Sequence, residues 1–376
     1  MMDKILYRAL VTAIFFLPLC FFGCSKGITS DSPEAIVRKY LNAPAWEDRL
    51  AFVRYPEKVK PLMSEHYKDG KFPATFVSIE SDPQSSSTQM AEWVEVKVVF
   101  GNKTGFLGQQ IEDTRDYLLQ LTKDGYKIDW EASVGYNSIE WKAYLAQRPT
   151  KMIKFRLIGE LSDYFNYEFR ADLEGRKKYY SIKLSDADGT DVGIHAYIFR
   201  GTEEGKKIFE LLKDGEPHYM ILGLRFLPNS DGDVVLVSRF YQNSWIEEDT
   251  SIVEIPDEVL FAREALIFLS SGEPASEKYL DWENLKVLDM NIRPIYNSYS
   301  EWEQYSFRKS FVETFATSFR RKGGNINALN NWRLDSENGG TSIVVADFES
   351  PYYLRVVVST FGENLQVREI SVIKKK

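Results

Sequence analysis

Apolar positions change their period several times along this chain, and each change marks a structural boundary. Ser32 stands where a helix cap is needed, and Pro33 follows at the first turn, where a missing N–H costs nothing. Ile36, Val37, Tyr40 and Leu41 then recur at helical spacing, Trp46, Leu50 and Val53 define a second short helix, and Pro56 opens a third with Val59, Leu62, Met63 and His66 inward. From Thr75 the period becomes two. The strands expected are Thr75–Ile79, Trp93–Phe100, Asp116–Leu121 and, after the tight turn Lys123-Asp124-Gly125-Tyr126, Lys127–Trp130. Three helices followed by about four antiparallel strands predict an α+β domain over residues 32–146.

Gln147–Thr150 reads as a linker, and residues 150–248 as a small strand-rich domain. Strand patterns occur at Met152–Leu157, Tyr164–Phe169, Tyr179–Leu184, Ile194–Phe199, Tyr219–Phe226 and Val234–Phe240. A helix capped by Thr202, with Glu203 and Glu204 near its positive end, runs to Leu212 and separates the fourth strand from the fifth. Residues 249–276 form a helical connector from Asp257, with Val259, Ala262, Leu266 and Ile267 at matching spacing. Residues 277–376 are a third, α+β domain. It has a short strand at Leu285–Met290 and a long helix whose stripe Trp302, Tyr305, Phe311, Val312, Phe315, Ala316 and Phe319 fills the space above three strands, Ser342–Phe348, Tyr352–Val358 and Leu365–Val372.

The order of the first domain, and its ending LLQLTKDGYKIDWEASV, resembles the NTF2-like superfamily. That resemblance implies a cone of helices and curved sheet. Some members bind steroids or polyketides there and use an aspartate as a proton shuttle, while others act in envelope assembly or peptide binding. Asp113, Asp116 and Asp129 are the acidic residues in this region, none of which matches a catalytic pattern; with Ile128 and Trp130 inward, Asp129 faces solvent. The middle domain is similar to an OB-type barrel.

The N-terminus adds a targeting expectation. A short basic head precedes the apolar run Ala9–Gly23, which is short of the roughly 20 residues of a membrane span. Phe21-Phe22-Gly23-Cys24 resembles the bacterial lipoprotein box, with phenylalanine where leucine is usual. The resemblance implies cleavage after residue 23, lipid on Cys24, and a tether over 24–31; an ordinary cleaved signal and an uncleaved anchor helix are the alternatives. Both cysteines lie in this segment, so no disulfide framework is expected in the body. Ser25 after the lipidated cysteine favours outer-membrane attachment facing the periplasm.

Charge and chemistry narrow the function classes. The net charge is -8, and no basic stripe interleaved with aromatics occurs, which argues against nucleic acid. Three histidines, no HExxH and no body cysteine predict neither a metal nor another cofactor. Asp186–Asp191 alternates acidic oxygens around Gly189, but the twelfth position of a calcium loop falls on Tyr197 rather than glutamate. Gly201–Lys207 has the glycines and lysine of a phosphate loop without its spacing, and Ser306–Lys309 has a bare Ser-x-x-Lys pattern. Tyr164, Phe165, Tyr167 and Phe169 form an aromatic stripe that serves either as core and interdomain contact or as a ligand-facing surface. His195 is expected half-buried in its strand. The expectation is a lipid-anchored envelope protein with a non-catalytic binding or scaffolding role toward a protein, peptide or cell-wall component. The alternatives are a small-molecule carrier using the first domain's cone, or a hydrolase or isomerase with a carboxylate site.

Overall fold

The computed structural model describes residues 31–376 except 69, 71–74, 82–92, 105–109, 167, 168, 170–177, 187–190, 231–233, 248–254, 289, 322–325, 327, 328, 349, 350, 363 and 376. Cys24, the tether before residue 31, Tyr167 and most of the Asp186–Asp191 loop lie outside the described residues. The first domain begins with α1 (Pro33–Asn42), whose cap Ser32 accepts from the Ala35 N–H at 3.3 Å. Then come α2 (Trp46–Arg49), a 3-10 turn (Leu50–Phe52) and α3 (Pro56–Tyr67). Strands β1 (Ser78–Ser81), β2 (Trp93–Thr104), β3 (Gln110–Thr122) and β4 (Gly125–Ile128) pair antiparallel in chain order. Their inward residues Val96, Val98, Tyr117, Leu119 and Ile128 close over Val37, Tyr40, Met63, Tyr67 and Trp130.

The last of these strands ends earlier than alternation suggests. Asp129 is the cap of a short helix, α4 (Trp130–Ser133), with its Oδ1 accepting from the Ala132 N–H at 3.0 Å. It is therefore buried, not solvent-facing, and its other oxygen takes a hydrogen bond from Arg54 at 2.7 Å. The Asp129 N–H still donates to the Leu118 carbonyl at 2.8 Å, but the Leu118 N–H goes to the Ser133 hydroxyl of α4 at 3.0 Å, so the ladder and its period of two stop here. A further helix, α5 (Trp141–Gln147), leads to the second domain.

That domain is a closed barrel of β5 (Ile153–Ser162), β6 (Tyr179–Ser185), β7 (Asp191–Phe199), β8 (His218–Phe226) and β9 (Val235–Gln242), in the order β5-β6-β7-β9-β8. Only β7 and β9 run parallel; β8 returns to pair with β5. Helix α6 (Glu203–Leu212) lies between the third and fourth strands, since Tyr164–Phe169 is not the strand its alternation suggested. Ile208 and Leu212 of α6 join Leu157, Ile182, Ala196, Leu222 and Val235 in the barrel core. Trp141 of α5 stacks on Phe155 at 4.6 Å, adding a cover from the first domain's side.

Helix α7 (Asp257–Ser271) is apolar around most of its circumference, with Val259, Leu260, Phe261, Ala262, Ala265, Leu266, Phe268 and Leu269 buried. A helix apolar on more than one face must be covered on more than one side. The barrel exterior (Tyr179, Tyr197, Leu236) and the final sheet (Val344, Leu354, Val356, Val367) supply those covers within one continuous core. A 3-10 turn (Pro274–Tyr279), β10 (Lys286–Val287), β11 (Met290–Asn291), α8 (Arg293–Tyr296) and α9 (Glu301–Arg321) follow. Strands β12 (Asn330–Asn338), β13 (Thr341–Asp347), β14 (Tyr352–Phe361) and β15 (Asn364–Lys374) complete a sheet ordered β11-β10-β15-β14-β13-β12. The whole is a multidomain α+β protein. Sequence alternation missed β12, an edge strand. The long-helix stripe is only partly core: Val312 and Ala316 are buried, whereas Trp302 is 75 % and Tyr305 45 % exposed.

Candidate functional site: an aromatic cleft beside the barrel

The start of α6, the outer side of α7, the end of α9 and the first residues of β12 enclose a cleft of about 790 Å³. Phe199, Ile267, Phe319, Leu329 and Trp332 give it apolar walls; Thr202, Lys206, Arg263, Ser270 and Ser271 give it a polar rim. Each wall has a local cause. Thr202 caps α6 by accepting from the Gly205 N–H at 3.0 Å, which fixes the turn carrying Lys206 and Glu203. A Cβ on Gly205 would lie 2.3 Å from the Phe199 carbonyl oxygen, so the glycine is demanded by packing of helix against strand. This explains the phosphate-loop flavour of Gly201–Lys207 without a phosphate. On α9, Phe311, Phe315 and Phe319 recur every four residues with ring centroids 6.1 and 5.8 Å apart, so the ladder delivers Phe319 into the cleft.

Both cations of the rim are paired with carboxylates. Lys206 Nζ lies 2.6 Å from Glu203, and Arg263 lies 3.9 Å from Glu204. These pairs are partly solvated, so they orient donors and acceptors at modest energetic gain. A narrower recess continues inward between β7, β9 and α7, reaching Ser238 and Glu264. There Glu264 accepts from the Ser238 hydroxyl at 2.7 Å and from the Tyr279 hydroxyl at 2.6 Å. Arg225, fully buried on β8, donates to Ser238 at 2.7 Å, the Thr150 carbonyl at 3.1 Å and Asp257 at 2.6 Å. Burial pushes the Tyr279 phenol well above its ordinary range, and the neighbouring Glu264 adds to that. Every polar atom named here has a partner, and the group ties barrel to helix rather than leaving a base aimed into open space.

The predicted aromatic stripe is divided between different surroundings. Phe169 packs against Tyr179 and Tyr197 at 4.6 and 4.5 Å, and Phe165 lies 6.0 Å from Tyr197. Tyr164 is 56 % exposed and rests on the half-buried His195 at 4.6 Å. The barrel face made by β6 and β7 is itself covered, since Tyr179 and Phe199 meet Phe268 of α7 at 5.8 and 6.3 Å. Burial also raises the Tyr197 phenol, to about 12. Asp116 and Asp129 of the first domain do not converge. Asp116 has its carboxyl raised by burial and Asp129 by burial against the opposing Arg54 and Ala132 N–H, but Asp116 faces Lys97 on the outer sheet surface while Asp129 is a helix cap. The interior of that domain is filled by Tyr40, Tyr67 and Trp130, joined by hydrogen bonds of 3.1 Å between the Tyr40 and Tyr67 hydroxyls and from the Trp130 indole N–H to the Tyr67 hydroxyl.

Sequence reasoning passed over Arg225, Glu264, Tyr279 and the cleft. The signal for Arg225 was present: it is the one charged residue in the run Met220–Leu227. No family model, curated protein or solved structure matches the chain. Among the described residues no group of three or more His, Cys, Asp or Glu side chains is placed to hold a metal, and no helix is long and apolar enough to cross a membrane.

Proposed function

We propose that this chain is a lipid-anchored protein of the bacterial envelope that binds an extended polypeptide segment in the cleft between α6, α7, α9 and β12, without catalysing a reaction on it. The carrying observation is the cleft's make-up: three aromatic rings, Phe199, Phe319 and Trp332, with hydroxyls, one cationic pair and one carboxylate of mixed sign around them. Apolar walls take side chains, and a rim of both donors and acceptors suits peptide groups, which present both. An acyl chain would leave that rim unused. The lipid on Cys24, attachment to the outer membrane facing the periplasm, and the absence of a cofactor belong to the same reading and rest on the Phe21–Cys24 pattern and the chain's chemistry. The first domain's helices-then-sheet order supports an NTF2-like assignment. The closed order β5-β6-β7-β9-β8 with a helix after the third strand supports an OB-type one. In OB-type proteins the face of the second and third strands often takes nucleic acid; here α7 lies on it, consistent with a partner bound elsewhere.

The test is photo-cross-linking in intact envelopes, with a photoreactive residue at Ser271 or Lys206 and, as control, at Lys123 in the β3–β4 turn. The expected result is one recurring polypeptide segment attached at the two cleft sites, absent from the control and lost with Trp332→Ala. Adducts of lipid or a small metabolite at the cleft would transfer the protein to the carrier class. Metabolic lipid labelling that survives Cys24→Ala would remove the anchor from the proposal.

A further inference from the structure

The joint between the first domain and the barrel is built differently from the joint between the barrel and the final sheet. Helix α5 goes with the barrel, since Tyr144, Trp141 and Leu145 pack into the barrel core; the apolar part of the joint that remains is small: Trp93, Leu118 and Ala132 of the first domain meet Trp245 and Ile246, which follow β9. The rest is polar and gathers around Arg156 of β5, which is 3 % exposed and whose backbone N–H and carbonyl pair with the Asn137 side chain at 2.7 and 3.3 Å. Its Nη2 lies 3.7 Å from Glu131 of α4 and 3.7 Å from Glu247. Its Nε and Nη1 donate to the carbonyls of Trp245 and Tyr136, each at 3.1 Å. Lys58 of α3 reaches Glu131 at 3.0 Å and Glu247 at 3.6 Å, and Lys154 pairs with Glu247. Two carboxylates thus bind three cations drawn from both sides, and Lys58 is 54 % exposed in its side chain.

We infer that the first domain is a jointed lobe, closed on the barrel by this ion-pair seam and released reversibly as ionic strength rises, while barrel and C-terminal sheet remain one body. The physical ground is screening. At 0.1 M salt the Debye length is about 10 Å, longer than every contact in the seam; at 1 M it is about 3 Å, shorter than the Lys58–Glu247 pair at 3.6 Å, whose side chains are 54 % and 28 % exposed and open to counter-ions. Interfaces between domains of one chain default to relative motion unless they are large and apolar, and here only the second joint shares a continuous core. Release would uncover Trp93, Leu118, Trp245 and Ile246 together, a surface created by opening and separate from the cleft.

Spin-label distances on the full chain, with Cys20 and Cys24 changed to serine, test this. One pair of labels at Lys123 and Lys207 spans the seam; a second at Lys207 and Glu337 spans barrel and final sheet. Between about 0.1 and 1 M salt the first distance distribution is expected to widen at least about twofold, and the second to stay unchanged. Arg156→Gln and Glu131→Gln are each expected to widen the first pair already at low salt. The unsubstituted chain needs no variant to fold, and Glu131 lies outside the barrel, so the salt series and Glu131→Gln stand if Arg156→Gln unfolds. A first pair as narrow as the second at both salts, or equal widening of both pairs, overturns the inference.

Discussion

Arg156 and Arg225 lie on paired strands of one barrel, and neither has more than 3 % of its surface exposed, yet they hold their neighbours in different ways. Arg225 is completed within the protein. Its guanidinium meets Asp257 at 2.6 Å, a hydroxyl and a carbonyl, and lies 5.3 Å from the Phe261 ring, amid a core running from barrel to final sheet. Arg156 makes its short contacts to neutral carbonyls and approaches its carboxylates only at 3.7 Å, where two lysines compete for them. A buried charge is tolerable only when paired and hydrogen-bonded. The same residue type therefore sits in one joint with its charge matched at close range and in the other with its charge shared among competing cations.

The comparison is broken most directly at Arg225. Arg225→Met leaves Asp257 and Glu264 without their cation, and removing one partner of a buried pair costs about 3–5 kcal/mol. Urea unfolding followed by barrel and C-terminal reporters should show both losing that stability in a single shifted transition. Loss confined to the barrel would mean the shared core does not couple the two. Arg156→Met is the matched change. Two carbonyls lose a donor, while Glu131 and Glu247 keep Lys58 and Lys154, so the expected cost is about 1–2 kcal/mol. It should leave the joint transition of barrel and final sheet in place and allow the first domain to unfold separately. A cost equal to that at Arg225 would erase the distinction.

Acid sharpens the contrast at lower amplitude. Lys154, Arg156 and Lys58 hold the Glu247 carboxyl below its ordinary value against the opposing effect of burial. A carboxyl depressed in the folded state contributes stability that is complete above its unfolded pKa of about 4.3 and lost as pH falls through the folded value. Lowering the pH from 6 to about 3 should therefore loosen the seam, read as widening of the Lys123–Lys207 distance. Glu277, in the C-terminal domain, moves oppositely: burial raises it against Arg308, so its protonation does not add to acid weakening there. Equal acid widening of the Lys207–Glu337 distance would contradict the assignment.

How much of this was visible in the chain depends on what covers each face. Alternation located β2, β3, β6 to β9 and β13 to β15 because one side of each strand meets an apolar layer. It failed at β12, where Trp332 and Leu334 stand among polar residues on a sheet edge paired only with β13. It also invented a strand at Tyr164–Phe169, where alternation reflects Phe169 turning into the core and Tyr164 turning out onto His195. On α9 the period was right and the cover was not: the same stripe holds the buried Val312 and the exposed Trp302. The cleft was illegible for a simpler reason. Its walls come from separated stretches, residues 199–206 and 263–271 together with Phe319, Ile326, Leu329 and Trp332, and no local pattern announces that they meet. Asp129 shows the converse case, since the same Asp that breaks a strand period is a good cap, and only the fold decides between those roles.

The smallest expected effect asks whether the seam is a network or one arginine with bystanders. Lys58 is 54 % exposed in its side chain and touches both carboxylates, at 3.0 and 3.6 Å. Exposed ion pairs contribute roughly 0–1 kcal/mol, because water already solvates the ammonium and ordering the side chain costs entropy. Lys58→Ala should thus shift the unfolding of the first domain by less than about 1 kcal/mol at low salt and by nothing measurable at 1 M. Combining Lys58→Ala with Arg156→Met separates the alternatives. If the two cations act through shared carboxylates, the double variant departs from additivity, because removing one changes what the other neutralises; contacting residues commonly couple by about 0.5–3 kcal/mol. Strict additivity would leave the Arg156 side chain holding the lobe by the Tyr136 carbonyl alone, and the salt sensitivity of the joint would then have to arise elsewhere.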